Sequence, residues 1–493
     1  MKTLSHYLAL SLHTHKDKVF LIEPSTGETL TFAEFGSALG GVQRLLRDHG
    51  VSAGDVVTLI AGNSIDLVVM LYGVMTYGAI AKPLNPQVTP VELQNLLLHS
   101  GSSLVCVDHR MNIPGFTGKY LDIDAYRQNR GHGFLTSLDE EDNPALLIYT
   151  SGTASQPKGV LLSHRNIVHN TITAIRFFSL DHTHAKICIL PLFHMFGLIS
   201  DLSTMALSGG TTVVLDTFDI TKLSFIEAAI HQYRINSFSA VPLMFDLFVR
   251  MNCDLSGKHM KYCVSGAAPL RESTAAEFSE KYQFPIIPAY GLTETTCFAT
   301  ISPPEGIRAK SAGIPAGVSV RVTRADGREA GLYEIGELFL AGESVMRQGY
   351  FKGSADCFGG PENQWFKSGD LGYRDEDGYI YITGRKKNMI IRGGEKIYLE
   401  DVDTCLIGMN AIADSATIRF EEEDGTEKIA VFVVPREGIQ LAPAEVTGYI
   451  GQKLGILRTP DVVIFSARIP RTSTNKVKIR ELQELVHRAA AHV

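Results

Sequence analysis

A segment rich in hydroxyl-bearing residues and glycine, Tyr149–Gly159, has the residue types that bind a polyphosphate. Its serine and threonine hydroxyls and Lys158 supply donors, and its glycines let backbone N–H groups approach an anion closely. The apolar residues PALLI precede it and VLL follows it, which predicts a loop between two strands. It is not a Walker A loop, because the lysine precedes the last glycine and no helix is predicted directly after it. Composition alone leaves a solvated Ser/Gly loop equally open.

Four further segments carry polar residues that suit nucleotide chemistry: Tyr290–Thr295, Ser368–Tyr373, Gly384–Glu395 and Pro470–Lys476. In this order, and together with the loop at 149–159, they resemble the motifs of the adenylate-forming superfamily. The resemblance is to its acyl- and aryl-CoA synthetase branch and covers nearly the whole chain. Luciferases and peptide-synthetase adenylation domains belong to the same superfamily. The resemblance implies an ATP-dependent ligase that converts a carboxylic acid to its acyl-adenylate, with release of pyrophosphate, and then forms a thioester with CoA.

The resemblance also implies the sites of ATP and Mg²⁺. Tyr290 would offer a flat face to adenine, Asp370 would accept bonds from both ribose hydroxyls, and Glu294 would supply the hard oxygen ligand that Mg²⁺ needs. Gly159 would let backbone N–H groups come close to the phosphates. The nucleotide-binding residues implied in this way are Thr150, Ser151, Gly152, Thr153 and Lys158 at the phosphates, Gly266, Ala267, Ala268, Tyr290 and Gly291, Thr293 at the α-phosphate, Asp370 and Arg385 at the ribose, and Lys476.

The catalytic residues implied by the resemblance are Lys476, Thr293, Glu294 and His194. Lys476 would meet the carboxylate and the α-phosphate and stabilise the charge that builds there; one such donor is worth on the order of 10²–10³ in rate. For the second half-reaction the C-terminal domain would rotate about Asn388. That motion would bring Gly393 and Gly394 to the active site, where they leave room for a pantetheine arm.

The chain departs from the usual motifs at several positions. Ala154-Ser155 stand where the phosphate loop usually reads Thr-Gly, which is expected to alter ATP affinity. Asn388 stands at a hinge position that is commonly Asp or Lys, although Asn tolerates unusual backbone angles. Asn475 replaces the glycine before Lys476, and Asp401 replaces a glutamate after the glycine loop. None of these changes removes a charged catalytic group, so activity is expected.

The segment Pro191–Gly197 (PLFHMFG) resembles the acyl and aryl branch. No aspartate is evident to hold the ammonium group of an α-amino acid, and an ammonium buried without a partner is costly. The expected substrate is therefore an aromatic or medium-length carboxylic acid without an α-amine. The expected pocket wall comprises His194, Phe196, Val241, Leu243, Ser265, Gly266, Ala289, Gly291 and Cys297, any of which could equally be core residues.

Alternative functions follow from the same residues. A stand-alone adenylation enzyme that loads an acyl carrier protein in trans would use the same phosphopantetheine chemistry. A non-catalytic nucleotide-binding protein is disfavoured by the retention of Lys158, Glu294 and Lys476. A serine hydrolase is disfavoured because no GxSxG elbow is present. The HxH pairs at His13/His15 and His182/His184 have no evident third ligand and are interpreted as surface residues.

The elements that must position these residues alternate between strand and helix. VVTLI, AIAKPLN and SSLVCVD predict strands, with a helix in LVVMLYGVMTYG, and similar alternation continues to KYCVSG. This pattern favours βαβ units in mainly parallel sheets. Near residue 370 the sequence becomes turn-rich, and a shorter α/β stretch follows. We predict an α/β fold with a large N-terminal domain, 1–387, and a small mobile C-terminal α+β domain, 388–493.

Bulk composition excludes several classes of protein. The chain has 493 residues, 20% charged residues and a net charge of −7, without a long Lys/Arg run, which disfavours nucleic acid as a partner. Seven cysteines without a CxxC pair indicate reduced thiols. Leu4, Leu8 and Leu12 predict an amphipathic N-terminal helix rather than a signal peptide, and no apolar run is long enough for a transmembrane segment. The cytoplasm is the expected location.

Overall fold

A computed structural model of the chain describes residues 2–108, 120–129, 131, 133–134, 140–150, 158–353, 356–359, 364–392, 395–422, 426–471 and 477–490. The α-helices of these ranges are α1 (Leu4–Thr14), α2 (Phe32–Asp48), α3 (Ile65–Tyr77), α4 (Pro90–Ser100), α5 (His164–Phe177), α6 (Thr204–Ser208), α7 (Leu223–Gln232), α8 (Pro242–Arg250), α9 (Glu272–Tyr282), α10 (Leu399–Ile407), α11 (Pro443–Leu454) and α12 (Ile479–Ala490).

The strands that precede the C-terminal part are β1 (Val19–Glu23), β2 (Glu28–Thr31), β3 (Val56–Ile60), β4 (Ile80–Leu84), β5 (Leu104–Val107), β6 (Leu121–Asp122), β7 (Pro144–Thr150), β8 (Lys158–Ser163), β9 (Ala185–Cys188), β10 (Thr211–Val214), β11 (Ser237–Ala240), β12 (Tyr262–Ser265), β13 (Ile286–Tyr290), β14 (Thr300–Ile301), β15 (Ile314–Pro315), β16 (Ser319–Thr323), β17 (Gly336–Ala341), β18 (Phe358–Gly359), β19 (Trp365–Arg374) and β20 (Ile380–Arg385). Those of the C-terminal part are β21 (Met389–Arg392), β22 (Glu395–Tyr398), β23 (Ile412–Glu421), β24 (Glu427–Pro435) and β25 (Val462–Phe465).

Two mainly parallel sheets build the large N-terminal part. One has the strand order β6-β5-β3-β4-β7-β8 and the other β15-β14-β13-β12-β11-β9-β10-β1-β2. The predicted unit β3–α3–β4 is confirmed, because β3 and β4 pair in parallel with α3 between them in sequence. The predicted strands β10, β11 and β12 are likewise confirmed within the second sheet. β7 and β8 pair antiparallel, so the polyphosphate-type segment does join two strands, as predicted.

A third, antiparallel sheet has the order β16-β17-β19-β18, and β20 also pairs with β19. Its apolar residues Leu338, Leu340, Phe366 and Ile380 belong to the same buried cluster as the helices and strands of the two parallel sheets. The hairpin-like alternation of YIYITGR is confirmed as β20. The third sheet is therefore packed as part of the N-terminal body.

The C-terminal part consists of the hairpin β21–β22, the three-stranded sheet β23-β24-β25 and helices α10 to α12. Its two buried clusters contain only residues from Ile390 onward. The chain thus has the predicted mixed α/β fold, with a large N-terminal and a smaller C-terminal part. Helix α1 confirms the predicted amphipathic start, since Leu4 and Leu8 are fully buried.

None of the helices in the described ranges combines the length and the apolar character needed to cross a bilayer.

Candidate active site

The sequence-predicted site residues gather at one edge of the nine-stranded sheet. His194, Val241, Gly266 and Gly291 lie on the loops that follow β9, β11, β12 and β13. These four strands run parallel, so their carboxyl ends meet at the same edge. Open α/β sheets bind ligands at this edge, because the loops there can converge on a crevice.

One end of the candidate site is built around Asp370, which lies on β19 and is 3% exposed. Asp370 is paired in register with Arg385 of β20, whose Nε lies 2.7 Å from Asp370 Oδ1. From the neighbouring sheet, the Tyr290 hydroxyl donates a 2.6 Å hydrogen bond to Asp370 Oδ2. Burial, and next the charge of Asp370, raise the pKa of the Tyr290 hydroxyl well above its usual value, so it remains a donor.

This arrangement fits the ribose of a nucleotide. A carboxylate has about four acceptor positions, so Asp370 retains acceptor capacity beside its bonds to Arg385 and Tyr290. The backbone N–H of Asp370 donates to Ser368 Oγ at 3.0 Å, and Ser368 Oγ donates to the Leu338 carbonyl at 2.7 Å. The acid is therefore held from two sheets at once, and the Tyr290 ring lies next to it.

The other end of the candidate site is built around Glu294, on the short 3₁₀ turn Thr293–Thr295. The Tyr350 hydroxyl donates a 2.7 Å hydrogen bond to Glu294 Oε1. Lys158 Nζ lies 4.8 Å from the centroid of the Tyr350 ring, within cation–π range. Glu294 and Lys158, predicted for the metal and the phosphates, thus contact the same tyrosine. Oxygen donors of this kind suit Mg²⁺, and the lysine suits a phosphate.

The backbone around Glu294 is tightly folded. A Cβ at Gly291 would lie 1.6 Å from the Cys297 carbonyl oxygen, so only glycine fits there. Thr296 has φ 68° and ψ −60°, and the Cys297 N–H donates to the Thr295 carbonyl at 2.8 Å. These values describe a γ-turn with a positive φ, a strained conformation that occurs mainly where the surrounding structure enforces it. The turn holds Glu294 in place at some energetic cost.

Two asparagines that the sequence analysis missed hold the loops of this end. Asn170 Nδ2 donates to the carbonyls of Thr295 and Phe298 at 3.3 and 2.8 Å. One turn earlier on α5, Asn166 Nδ2 donates to the Val345 carbonyl at 3.0 Å and to that of Glu343 at 2.7 Å. Both asparagines are at most 2% exposed. Their sequence signal is a pair of amides four residues apart on the apolar face of an amphipathic helix.

Three residues predicted for the acid pocket lie close together. A Cβ at Gly266 would lie 3.2 Å from two carbons of the Phe196 ring and 3.4 Å from the Ala289 carbonyl oxygen. Phe196 opens a π-helix, Phe196–Ser203, a feature frequent at functional sites. His194 packs against Phe193 with ring centroids 4.9 Å apart. An aromatic ring and two small residues thus meet at this edge of the sheet.

The remaining predicted pocket residues differ in their exposure. Val241 immediately precedes α8, and Leu243, in its first turn, is 43% exposed. Ser265 is 2% exposed, and its Oγ has no hydrogen-bond partner among the described residues. Cys297 is buried, and burial raises the pKa of its thiol well above the usual value. Ala267 and Ala268 are exposed at the same edge, with Ala267 at φ 69°.

A buried ion pair lies close to Cys297. Lys186 Nζ is 4.0 Å from Asp201 Oδ1 and donates to the Ser200 carbonyl at 2.7 Å, and Ser239 Oγ donates to Asp201 Oδ1 at 2.7 Å. Burial lowers the pKa of Lys186 and raises that of Asp201 to about 6. The contacts of Asp201 are made through Oδ1, and its buried Oδ2 has no hydrogen-bond partner among the described residues.

A second buried lysine, which the sequence analysis did not identify, lies close to Tyr149 at the start of the phosphate segment. Lys82 of β4 is fully buried, and its Nζ donates to Ser100 Oγ at 2.6 Å and to the Leu96 carbonyl at 3.2 Å. Its Nζ is 5.8 Å from the centroid of the Tyr149 ring, and the Tyr149 hydroxyl lies 2.7 Å from His99 Nδ1. Burial lowers the pKa of Lys82 to about 7.

The predicted hinge residue makes a specific contact with the C-terminal part. Asn388 Nδ2 donates to Glu400 Oε1 at 2.9 Å, and the Arg385 N–H donates to the same oxygen at 3.2 Å. Glu400 belongs to α10, and burial raises the pKa of its carboxyl. A Cβ at Gly384 would lie 2.6 Å from Glu400 Oε2, so a side chain there would require the glutamate to shift. Glu400 of the C-terminal part therefore accepts hydrogen bonds from the predicted hinge residue and from Arg385, three residues before it.

Several predicted site residues lie outside the described residues: Ser151, Gly152 and Thr153 of the phosphate segment, Ala154, Ser155, Gly393, Gly394, Asn475 and Lys476. Of that segment, Thr150 and Lys158 are described, and Thr150 Oγ1 donates to the Lys158 carbonyl at 3.4 Å.

The interpretation of the HxH pairs as surface residues is wrong in part. His184 is 7% exposed, and its Nδ1 lies 2.9 Å from Asp181 Oδ1. The ring of His15 stacks on that of His182, with centroids 5.5 Å apart. The reason is that His184 directly precedes the buried strand β9, which begins at Ala185, so its side chain is buried with the start of that strand. In the described ranges no group of three or more His, Cys, Asp or Glu residues is arranged to hold a metal ion.

Comparisons with known proteins bear on this geometry. Residues 8–351 match the profile of the AMP-binding enzymes, and residues 401–476 match that of the AMP-binding enzyme C-terminal domain. A sulfoacetate–CoA ligase of Cupriavidus necator is 30% identical over 497 aligned residues, covering 97% of this chain and 96% of that protein.

Solved structures with the same fold contain nucleotide. ATP-bound MatB from Rhodopseudomonas palustris superimposes with a TM-score of 0.87 at 26% identity, covering 98% of this chain and 99% of the other. The o-succinylbenzoate–CoA synthetase MenE from Bacillus subtilis, in complex with ATP and magnesium ion, has a TM-score of 0.85 at 25% identity, covering 97% of this chain and 99% of the other.

Proposed function

The chain belongs to the AMP-binding enzyme family and is an AMP-forming acid–thiol ligase, and we propose that its substrate is an aromatic or medium-length carboxylic acid without an α-amine. The observation that carries the proposal is the close approach of the Phe196 ring to Gly266, beside the Ala289 backbone, which puts an aromatic face next to two small residues. The relative named for sulfoacetate acts on an acid that also lacks an amine.

In the first half-reaction we assign the two ends of the site to the two ends of ATP. Asp370 would accept the ribose hydroxyls, and the Tyr290 ring would lie against adenine. Lys158 and Thr150 would bind the β- and γ-phosphates, and Thr293 the α-phosphate. Mg²⁺ bound at Glu294 would neutralise charge on the phosphate oxygens. These roles use side chains whose present contacts leave hydrogen-bonding or coordination capacity.

The chemistry is a displacement at the α-phosphorus. A carboxylate oxygen of the acid forms the new P–O bond, the α–β anhydride bond breaks, and pyrophosphate leaves with its electron pair. Lys476 would donate to the carboxylate and the α-phosphate while negative charge builds there. His194 would border the acid where it enters the pocket. Holding the acid and the α-phosphate together supplies the favourable orientation that such a reaction needs.

The second half-reaction transfers the acyl group to a thiol. The sulfur attacks the acyl carbon, AMP leaves, and the thiol proton is released. We propose that the C-terminal part reorients about Asn388 for this step and that Gly393 and Gly394 border the pantetheine arm. The hydrogen bond between Asn388 and Glu400 supports a defined starting orientation of the C-terminal part. Two hydrogen bonds to one carboxylate are weak enough to exchange during turnover.

ATP–pyrophosphate exchange tests the proposal. The purified protein would be assayed with Mg²⁺ and a panel of aryl, fatty and amino acids, and active acids would then be offered with CoA or with a phosphopantetheinylated carrier protein. Exchange with aryl or medium-length acids, followed by CoA thioester formation, is expected. Exchange restricted to α-amino acids would overturn the substrate class, and transfer to the carrier protein alone would replace CoA as the acceptor. ATP binding without exchange for any acid would favour a non-catalytic role.

A further inference from the structure

The side chain of Tyr350 contacts both charged groups of the phosphate end of the site. Its hydroxyl donates to Glu294 Oε1 at 2.7 Å, and its ring carries Lys158 Nζ at 4.8 Å from the centroid. The hydroxyl therefore engages one oxygen of Glu294 and leaves the other free of this bond.

The position of Tyr350 is fixed by the backbone. Its segment continues the sheet beside β8, with an antiparallel bridge between Val160 and Tyr350. The Phe351 N–H donates to the Gly159 carbonyl at 2.7 Å. A Cβ at Gly159 would lie 3.2 Å from Phe351 Cβ, so the two segments are in close contact. The tyrosine is thus attached to the strand that begins at Lys158.

The position of Glu294 is fixed relative to the same segment. The Met346 N–H donates to the Glu294 carbonyl at 2.8 Å. Asn166 and Asn170, one turn apart on α5, hold residue 345 and residues 295 and 298 respectively. Tyr350 and Glu294 therefore meet as parts of one assembly. A hydrogen bond between prepositioned groups loses little conformational entropy when it forms.

The contacts of Tyr350 also bear on Lys158. In the described ranges Lys158 and Glu294 form no ion pair with each other, although both contact this tyrosine. A direct pair would occupy the carboxylate that a cation needs and the ammonium that a phosphate needs. The Tyr350 hydroxyl satisfies Glu294 with a neutral donor, and its ring offers Lys158 a weak neutral contact. Both charges are thereby kept available for ligands of opposite sign.

We propose that Tyr350 is a positioning residue that orients Glu294 for Mg²⁺ and keeps Lys158 free for the phosphates of ATP. The proposal rests on the function proposed above, in which Glu294 is the metal ligand. The hydroxyl acts on the metal ligand and the ring acts on the lysine, so their effects on Mg²⁺ binding and on phosphate binding are separable.

Isothermal titration of ATP at a series of Mg²⁺ concentrations tests the proposal without knowledge of the acid. Tyr350→Phe keeps the ring and removes the hydroxyl, and the Mg²⁺ concentration for half-maximal ATP affinity should rise roughly tenfold, the factor of a charge-assisted hydrogen bond worth about 1.4 kcal/mol. Tyr350→Leu should in addition weaken ATP binding at saturating Mg²⁺. An unchanged Mg²⁺ response in Tyr350→Phe would overturn the proposal.

Two further variants make the result specific. Glu294→Gln should raise the Mg²⁺ requirement, and Tyr350→Phe should add less than twofold in that background, because the hydroxyl acts through the carboxylate. A tenfold effect that persists with Gln at 294 would contradict the positioning role. If Glu294→Gln itself leaves the Mg²⁺ response unchanged, the metal assignment in the proposed function fails instead. Tyr77→Phe, which removes a hydroxyl bonded to the Val51 carbonyl far from the site, is the matched control and should leave the response unchanged.

Discussion

The two ends of the candidate site each present an acid that accepts a hydrogen bond from a tyrosine hydroxyl. At the ribose end Tyr290 donates to Asp370 at 2.6 Å, and at the phosphate end Tyr350 donates to Glu294 at 2.7 Å. Asp370 is 3% exposed on a long strand and paired with Arg385. Glu294 is half-buried on a 3₁₀ turn of three residues, and its nearby cation is held over the tyrosine ring.

The difference corresponds to the roles proposed for the two ends, with the ribose at Asp370 and the metal and phosphates at Glu294. The ribose is unchanged throughout the reaction, so a buried acid with fixed partners can hold it at little reorganisation cost. At the phosphate end bonds break and pyrophosphate departs, so charge changes within one turnover. An acid held by a neutral donor can coordinate a cation and release it again. Strong pairing suits the first task, and weaker neutral contacts suit the second.

The largest effect is expected from Lys476→Ala, which should lower adenylate formation by about 10²–10³-fold. The lysine is assigned to the α-phosphate in the first half-reaction alone. Thioester formation from a supplied acyl-adenylate should stay within about threefold of the native rate. Pyrophosphate exchange and single-turnover thioester formation measure the two steps. Equal losses in both would place Lys476 outside the role assigned to it.

The contrast between the two acids is tested by Asp370→Asn and Glu294→Gln. Asp370→Asn leaves Arg385 without its anion, and kcat/KM for ATP should fall about 10²-fold with the Mg²⁺ requirement unchanged. Glu294→Gln should instead raise the Mg²⁺ requirement. Exchange rates measured over a grid of ATP and Mg²⁺ concentrations separate the two behaviours. Identical shifts along both axes would remove the distinction drawn between the ends.

The hinge should be independent of both ends. Asn388→Pro restricts the backbone and removes the amide that donates to Glu400, so switching between half-reactions should slow and overall turnover should fall about tenfold. Pyrophosphate exchange should fall by less than twofold, because it needs only the first orientation. The ratio of overall turnover to pyrophosphate exchange in Asn388→Pro and in the native protein measures how fast the half-reactions alternate. Unchanged overall turnover would refute the hinge assignment.

The smallest effect concerns the buried base beneath Tyr149. The pKa of Lys82 is about 7 in the folded protein and ~10.4 in an unfolded chain, so the unfolded chain binds more protons between these values. The cost of burying this amine is therefore complete below pH about 7 and disappears as pH rises to ~10.4. The free energy of unfolding from this group therefore rises as pH increases from about 7 to ~10.

Lys82→Met should flatten that rise and stay within about 2 kcal/mol of the native stability at pH 7, since removal of the buried amine is offset by loss of its hydrogen bonds to Ser100 and Leu96. Urea unfolding at pH 7 and 9.5 measures both quantities, and Lys281→Met at an exposed site controls for the lost charge. A slope equal to that of the native protein would assign the pH dependence to other groups.

Much of the fold follows from the sequence. Strands such as Val56–Ile60 and Tyr262–Ser265 are short apolar runs between helical segments, and hydrophobic periodicity identifies them directly. The residue types of the site were also recognisable, because Asp370, Glu294 and Lys158 stand in motifs with local spacing. The strand pair around the phosphate segment was predicted from apolar flanks alone.

The partners of those residues were decided by the tertiary structure. Tyr350 meets Glu294 across 56 positions of sequence, and Asn166 meets Val345 across 179. A tyrosine or an asparagine is common enough that its type carries no signal until the chain brings it to a carboxylate or a carbonyl. Burial of Lys82 and of His184 was hidden for the same reason, since both are polar residues whose neighbours come from elsewhere in the chain. The sequence by itself determined which groups can do the chemistry, and only the packing of three sheets determined which of them are held by strong charge pairs and which by neutral donors.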